Sequence, residues 1–450
     1  MNTAHQYWSS WLITVAPPLV LALAALVLAW LARRGSPPRP ATLAWLGAGF
    51  IACTGYLETV RPLAEAPAGP LLLRDMFSDF FIFLLLTGGT LALFAAVREA
   101  EPPQPQARYR PSLLLLTLLG PLLIVITPNL LLVFVGMQLL WPATWALLRL
   151  EAVPAARRYL VRAAFVSLAL LASLVLLRIH LPSFDMAEIS QGLNGAVPAW
   201  GLRLGLALLL VALTAHIGLV PLHVWTVDVW HAAPASSKII LTAGSLAPLA
   251  PLARSVAHTA SADAFFWFIA CLTLLVGALL ALNETSPARL VARLATANSG
   301  YLLLGLLGGP HKTAGSAVFY ALVHVLVVAG CAAGLASLSN PQTLSSNATP
   351  EWAGLAHRRP RCAAMFSFLL FAAAGAPLTA GFVGIVNVYL SCIRPGYVGA
   401  ALLAGLGSVL ILLCVARAVY EMYTGQPSSP ADATGQKDDP SLPLVLCAIG

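Results

Sequence analysis

Apolar runs of about 20 residues recur along nearly the whole chain, separated by short polar or basic connectors. An α-helix rises about 1.5 Å per residue, so about 20 such residues cross a hydrocarbon core of about 30 Å. The pattern predicts spans near 11–32, 41–60, 75–97, 112–127, 129–150, 158–178, 200–222, 236–256, 264–283, 290–308, 313–336, 363–392 and 398–423. A further run begins at 441 and supplies ten residues before Gly450, too few to cross. The expectation is an all-α polytopic membrane protein of about 14 transmembrane helices, the last one incomplete.

Three polar stretches are not spans. Residues 183–194 carry no proline and read as a short surface helix on the outside; residues 340–351 and 426–441 read as solvated inside loops. Two spans carry interruptions. Pro221 follows His216 by five residues in the seventh, and the twelfth contains Gly375-Ala376-Pro377-Leu378-Thr379-Ala380-Gly381. Proline removes a backbone donor and clashes with the preceding turn, so both helices break there, and the freed carbonyls need partners within the protein. The two prolines lie 156 residues and five spans apart. Broken helices so placed point to two inverted five-helix repeats with discontinuous helices 7 and 12. One membrane domain is then expected over 1–450: N-terminal helices in 1–110, a first repeat in 111–260, a second in 261–425, and a loop with the partial last helix in 426–450.

Charge gives the orientation. With 59% hydrophobic and 9% charged residues, against roughly 25% charged in soluble proteins, no sizeable soluble domain fits. The formal net charge of +8 sits in short connectors. With the N-terminus outside, 18 Lys and Arg residues fall on inside segments and 7 on outside ones, the bias of a multi-pass protein in a bacterial cytoplasmic membrane or an equivalent energy-coupling membrane. Membrane orientation therefore accounts for the basic residues, and nucleic acid is not an expected partner. The seven cysteines show no C-x-x-C pair or ligand spacing, so no metal site or cofactor is expected. No nucleotide loop or nucleophile and base pairing marks a free-standing enzyme with a catalytic site of its own.

The candidate chemistry gathers in residues 213–237, which hold His216, His223, His231 and Asp228 in an otherwise apolar chain. Ionisable side chains at membrane depth are costly and mark functional sites. His324 lies in the middle of the eleventh span, and Lys238 opens the eighth.

These residues carry a resemblance. The run H-I-G-L-V-P-L-H-V-W-T-V-D-V-W-H-A-A-P from His216 to Pro234 is similar to the K-x-x-x-x-P-F-H-x-W-x-P-D-V-Y-x-G-A-P signature of the antiporter-like subunits of respiratory complex I. Its ending, Asp228, Val229, Trp230, Ala233 and Pro234, resembles the N-type subunit. The stretch from Gly375 to Gly384, GAPLTAGFVG, resembles that subunit's G-x-P-L-T-A-G-F-x-G. Weaker matches fall in the same order, NLLLVFVGMQLL from Asn129 to Leu140 and RLVARLATANSGY from Arg289 to Tyr301. The resemblance covers about residues 75–423. It implies a membrane-arm subunit of a complex I-type NADH:quinone oxidoreductase, in which quinone reduction by a peripheral arm drives protons through half-channels at the broken helices. Its partners would be the other membrane-arm subunits and the lipid bilayer.

The relay that the resemblance implies, a Glu on the fifth span, Lys on the seventh, Lys or His on the eighth and Lys or Glu on the twelfth, is substituted throughout. Gln138 stands at the Glu position, His216 at the seventh-span Lys, Leu246 at the eighth-span Lys and Ile385 at the twelfth, and Pro142 is one residue closer to Gln138 than the family pattern has it. Only Lys238, Lys312 and Lys437 exist, so no shifted register restores a lysine relay. Gln138 hydrogen-bonds but does not titrate, and Leu246 and Ile385 carry no protons. His216 either shuttles protons or is a neutral imidazole bonded to carbonyls at the break. His223, Asp228 and His231 either organise the inside loop or join a proton path. Lys238 is either a snorkelling residue or a relocated relay group. His324 is either a satisfied core residue or part of a central polar path. Asp75 and Asp79 are expected to be solvated or paired with Arg74, and Arg417 to pair with Glu421 four residues on. Proton translocation, structural coupling within a membrane arm, and a stand-alone ion transporter on the same fold are the competing functions.

Overall fold

In a bilayer every backbone N–H and C=O must be satisfied within the protein, and the long apolar stretches of this chain meet that demand as helices. A computed structural model of the chain describes residues 2–34, 37–60, 71–99, 106–150, 152–193, 200–255, 260–307, 310–338 and 352–425. The stretches 340–351 and 426–441 and the run from 441 lie outside the described residues. Among the described residues ten helices are long and apolar enough to cross a membrane. Among the described residues the only extended pairing is an isolated bridge, Asn129 to Asp185.

The chain divides into two compact units, Met1–Gly218 with Ile239–Asp263, and Leu219–Lys238 with Ala264–Gly450. The first holds α1 (Asn2–Arg33), α2 (Pro40–Val60), α3 (Met76–Glu99), α4 (Arg110–Val125), α5 (Leu130–Arg149), α6 (Val153–His180), α7 (Met186–Leu193), α8 (Trp200–Ile217), most of α10 (Ala235–Ser245) and α11 (Leu249–Ser255). Helix α7 falls in the stretch read as a surface helix. Asp185 accepts the Ala187 N–H at 2.8 Å, Ile189 is buried, and α7 packs on α11.

Close approach between helices in this unit depends on small residues, as is common where lipid is the alternative neighbour. A Cβ on Gly120 of α4 would fall 2.3 Å from the Gly136 carbonyl of α5. The α6 and α8 pair is tied by Ser173, whose Oγ donates to Gly205 O at 2.7 Å. Phe165 and Leu168 of α6 are exposed, as befits a face turned to hydrocarbon.

At one end of this unit charged residues lock helix termini together. Arg254 of α11 donates to Val125 O at 2.7 Å, to Asp75 Oδ1 at 2.8 Å and to Ser78 Oγ at 2.7 Å. Arg74 bonds Glu58, and Asp79 at 2.5 Å. Burial pushes the Asp75 carboxyl up, but the Arg254 guanidinium and the Ser78 hydrogen bonds outweigh it and hold the group below the usual carboxylate range. Asp79 thus pairs with Arg74, and Asp75 with an arginine 179 positions away.

The eighth span, expected to be continuous, is also broken. Helix α10 ends at Ser245, Leu246 and Ala247 bond back three residues, and α11 restarts at Leu249. Pro248 has no N–H to give the helical ladder, and Gly244-Ser245 ahead of it are weak helix formers.

The second unit holds α9 (Val224–Ala232), most of α12 (Ala260–Leu282), α13 (Pro287–Leu304), α14 (Pro310–Leu338), α15 (Leu355–Arg358), α16 (Pro360–Ala373), α17 (Ala380–Ile393) and α18 (Val398–Thr424). Among the described residues α13 is the most polar of the long helices, and fourteen of its residues are buried. Burial within protein lets it carry Asn298, Ser299 and Tyr301 at membrane depth. Its neighbours come close because Gly277 and Gly300 leave room: a Cβ at either would fall within 2.8 Å of backbone on the facing helix. Arg417 of α18 bonds the Leu282 and Glu284 carbonyls at the end of α12 and lies 3.5 Å from Glu421.

Candidate functional site: two broken helices and their polar neighbours

In the first unit α8 stops at Ile217, earlier than the proline alone implies. Gly218 takes a φ of 89°, a conformation open to glycine at little cost, and ends the helix three residues before Pro221. The Ala215 carbonyl exposed by this stop receives the Gly218 N–H at 3.2 Å and Arg162 Nη2 of α6 at 2.5 Å. A cation at a helix C-terminus also meets the negative end of the helix dipole. The Arg162 guanidinium carbon lies 5.9 Å from the Trp141 ring centre and 5.7 Å from that of Tyr159. Arg162, one of the basic residues counted on the inside, lies within α6 and holds the broken helix end. Its signal was present, since it lies four residues beyond Arg158, deeper into an apolar helix than a topogenic charge needs.

His216 is 2% exposed, and its ring stacks on Trp141 with centroids 6.1 Å apart and planes at 22°. Neither ring nitrogen has a hydrogen-bond partner among the described residues. The expectation of an imidazole bonded to carbonyls at the break is therefore corrected: Arg162 and Gly218 take the Ala215 carbonyl instead. Gln138 of α5 donates from Nε2 to Ser167 Oγ of α6 at 2.8 Å. Leu246 is buried in the turn between α10 and α11.

The other members of the polar cluster belong to the second unit. His223 Nε2 lies 3.4 Å from Arg293 Nη1 of α13, and Thr226 Oγ1 lies 3.0 Å from Thr296 Oγ1. The Val220 N–H, just past the break, donates to Thr273 Oγ1 at 3.1 Å. Asp228 and Glu284 face His231 together with Arg289 and Lys238. Burial lowers the His231 imidazole below its ordinary value, Arg289 and Lys238 add to this, and Asp228 and Glu284 pull the other way. Lys238 is buried, with its ammonium 5.5 Å from the Trp230 ring centre. The residues that are adjacent in sequence as one cluster are thus divided: His216 in one unit, His223, Asp228, His231 and Lys238 in the other.

The twelfth span breaks as α16 and α17. Gly375, with φ 70°, gives its N–H to Ala372 O at 3.1 Å, and Ala376 N–H reaches Phe371 O at 2.9 Å, the paired bonds of a glycine-ended helix. The Ala373 carbonyl receives Asn298 Nδ2 of α13 at 2.9 Å. Thr379 caps α17 by accepting the Phe382 N–H at 3.3 Å. Between them Pro377 is followed by Leu378, whose φ of 71° is unfavourable for a side-chain-bearing residue and whose side chain is fully exposed. Ile385 is buried against the break, where a Cβ on Gly375 would meet its Cδ1 at 2.5 Å. His324 of α14 is buried, with its ring 6.4 Å from that of Tyr320. Among the described residues no three His, Cys, Asp or Glu side chains are grouped to hold a metal ion.

The transmembrane model of the NADH:quinone oxidoreductase/Mrp antiporter family matches residues 127–412, which contain both breaks. The NADH-quinone oxidoreductase subunit N of Acinetobacter baumannii (strain AB0057) is 28% identical over 98% of this chain and 92% of its own length. Subunit N of Alkalilimnicola ehrlichii (strain ATCC BAA-1101 / DSM 17681 / MLHE-1) is 30% identical over 75% of this chain and 71% of its own. A chain of respiratory complex I from Thermus thermophilus has the same fold, with a TM-score of 0.76 at 22% identity, over 97% of this chain and 95% of that one. This chain belongs to the NADH:quinone oxidoreductase/Mrp antiporter transmembrane family.

Proposed function

We infer that this protein is an N-type antiporter-like subunit of the membrane arm of a complex I-type NADH:quinone oxidoreductase, and that it serves proton translocation by that assembly. The observation that carries the reading is the pair of interrupted helices, at Gly218 to Pro221 and at Gly375 to Leu378, within the family-matched region. Discontinuous helices at membrane depth free backbone groups for ions and water only where protein surrounds them. Its partners are the other membrane-arm subunits, and its exposed apolar residues meet lipid in a bacterial inner membrane.

The two repeats, residues 111–260 and 261–425 in this reading, divide the work. In the first, the usual titrating pair is replaced by Gln138, tied to Ser167, and by His216, stacked on Trp141 with Arg162 on the adjoining carbonyl. Arg162 keeps its proton throughout the physiological range. The first repeat therefore acts as a structural coupling element, and proton movement falls to the second. His223, Asp228, His231 and Lys238 organise the end of α9 against α13, and His324 supplies an imidazole to the interior of the second unit.

The test is purification of the native protein in mild detergent, with mass spectrometry of what accompanies it. Recovery with other antiporter-like and iron–sulfur subunits is expected. Recovery alone, with ion flux in proteoliposomes, would instead establish a stand-alone transporter.

A further inference from the structure

We propose that the hydroxyls of Tyr389, Ser408 and Tyr301 form a proton-relay segment in the interior of the second unit. Ile385 cannot carry a proton, but Tyr389 lies one turn further along the same face of α17. Its hydroxyl is 2.5 Å from Ser408 Oγ of α18, and Ser408 Oγ is also hydrogen-bonded to the hydroxyl of Tyr301 on α13. Tyr301 is fully buried, and its hydroxyl lies 3.3 Å from the Ala404 carbonyl.

The bonding of Ser408 separates a relay from a clamp. A serine within a membrane helix ordinarily returns its hydroxyl to the carbonyl three or four residues back. Thr273 does so with Ile269 O at 2.7 Å, and Ser391 with Val388 O at 2.7 Å. The carbonyl four residues before Ser408 is that of Ala404, and it takes the Tyr301 hydroxyl instead. Ser408 is left between two phenols, each able to donate or accept. Fastening α13 to α18 needs only the bond from Tyr301 to the carbonyl; three consecutive hydroxyls make a chain that conducts in either direction. The aromatic packing keeps the chain in line: the Tyr320 ring meets that of Tyr301 at 5.5 Å and 74°, and Gly384 leaves Tyr320 room against α17.

A proton delivered by a hydrated proton at Tyr389 bonds to its oxygen as the Tyr389 proton passes to Ser408, that of Ser408 to Tyr301, and that of Tyr301 to a water molecule beyond. Four O–H bonds break and four form, no electron changes owner, and rotation of the three hydroxyls restores the starting arrangement.

The inference rests on the membrane-arm reading, and its test is chosen to fail separately from it. In the purified assembly reconstituted into vesicles, quinone reduction and dye-reported proton uptake are measured for Ser408→Ala, Ser408→Thr, Tyr301→Phe and Tyr389→Phe. Ser408→Ala and the two Phe variants, which keep the rings, are expected to retain electron transfer and lose protons per electron, while Ser408→Thr keeps both. A wild-type ratio in Ser408→Ala and Tyr301→Phe would overturn the relay and leave a clamp. If Ser408→Ala does not assemble, Tyr389→Phe at the half-buried end decides. If the wild-type protein purifies without electron transfer, the membrane-arm reading fails, and the same variants under an imposed pH gradient in proteoliposomes still decide the relay.

Discussion

Gly381 sits where the two halves of the twelfth span come closest, and Gly381→Ala is the sharpest perturbation the break allows. The added Cβ would lie 1.8 Å from the Ala372 oxygen and 2.8 Å from its carbon. Even a close C···O contact is about 3.3 Å, so α16 and α17 must part by roughly 1.5 Å. The obstacle is backbone and cannot rotate aside. Ala372 O also accepts the Gly375 N–H at 3.1 Å, and the adjoining Ala373 O holds Asn298 at 2.9 Å, so separation strains both bonds. Overpacking a well-filled site by one carbon costs about 1–3 kcal/mol, and the fixed neighbour places this case near the upper end, about 3 kcal/mol. The control is Gly405→Ala in α18, where the new Cβ has no neighbour within 4 Å and helix propensity favours alanine by about 0.5–1 kcal/mol. Thermal unfolding of both variants in one detergent, with the level of folded protein in membranes, reads the difference. If Gly381→Ala unfolds at the wild-type temperature, the packing argument for the break is wrong.

Four further outcomes are expected. Arg254→Ala removes the charged bonds to Asp75 and to the Val125 carbonyl, which keep Ser78 as a partner, and destabilises the first unit by about 1–2 kcal/mol because Asp75 is partly exposed; Asp75→Asn in the same chain recovers part of that loss, which a double-mutant cycle in thermal unfolding measures. His216→Ala leaves proton pumping of the intact assembly near wild type, because neither ring nitrogen has a hydrogen-bond partner among the described residues; a large loss in vesicle assays would restore the first repeat as a channel. A cysteine placed at Leu378 reacts with small aqueous thiol reagents, since the break leaves that side chain exposed, and protection there would argue against water at the break. His231, held below its ordinary value, takes up fewer protons folded than unfolded. Its contribution is intact above the unfolded value near 6.5 and declines as the pH falls below that; His231→Gln removes this part of the acid dependence in a pH series of thermal unfolding.

Much of the molecule was legible because membrane insertion imposes local rules. Span length, the basic bias of one side and proline at Pro221 and Pro377 follow from the chemistry of single segments, and the motifs around those prolines carried the family resemblance. Proline also misled: at the seventh span glycine, not proline, ends the helix, and at the eighth Pro248 ends one that had looked continuous. The polar residues were harder to read, since their partners lie far away in sequence. Arg162 resembled a topogenic charge until the Ala215 carbonyl, 53 positions later, came within 2.5 Å. Asn298 lay inside a noted motif, but its bond to Ala373 crosses 75 positions.

The sequence by itself determined that this chain is a bundle of membrane helices, where two of its helices break, and that no lysine relay runs through it. Those properties depend on transfer of short segments from water to hydrocarbon and on backbone donors, and both act within a few residues. The tertiary structure alone decided which polar groups meet: His216 on Trp141, Arg162 on a broken helix end, Gln138 on Ser167, and three hydroxyls from α13, α17 and α18 in one chain. Inside a bilayer the neighbours of such groups come from other helices, and only packing brings those helices together.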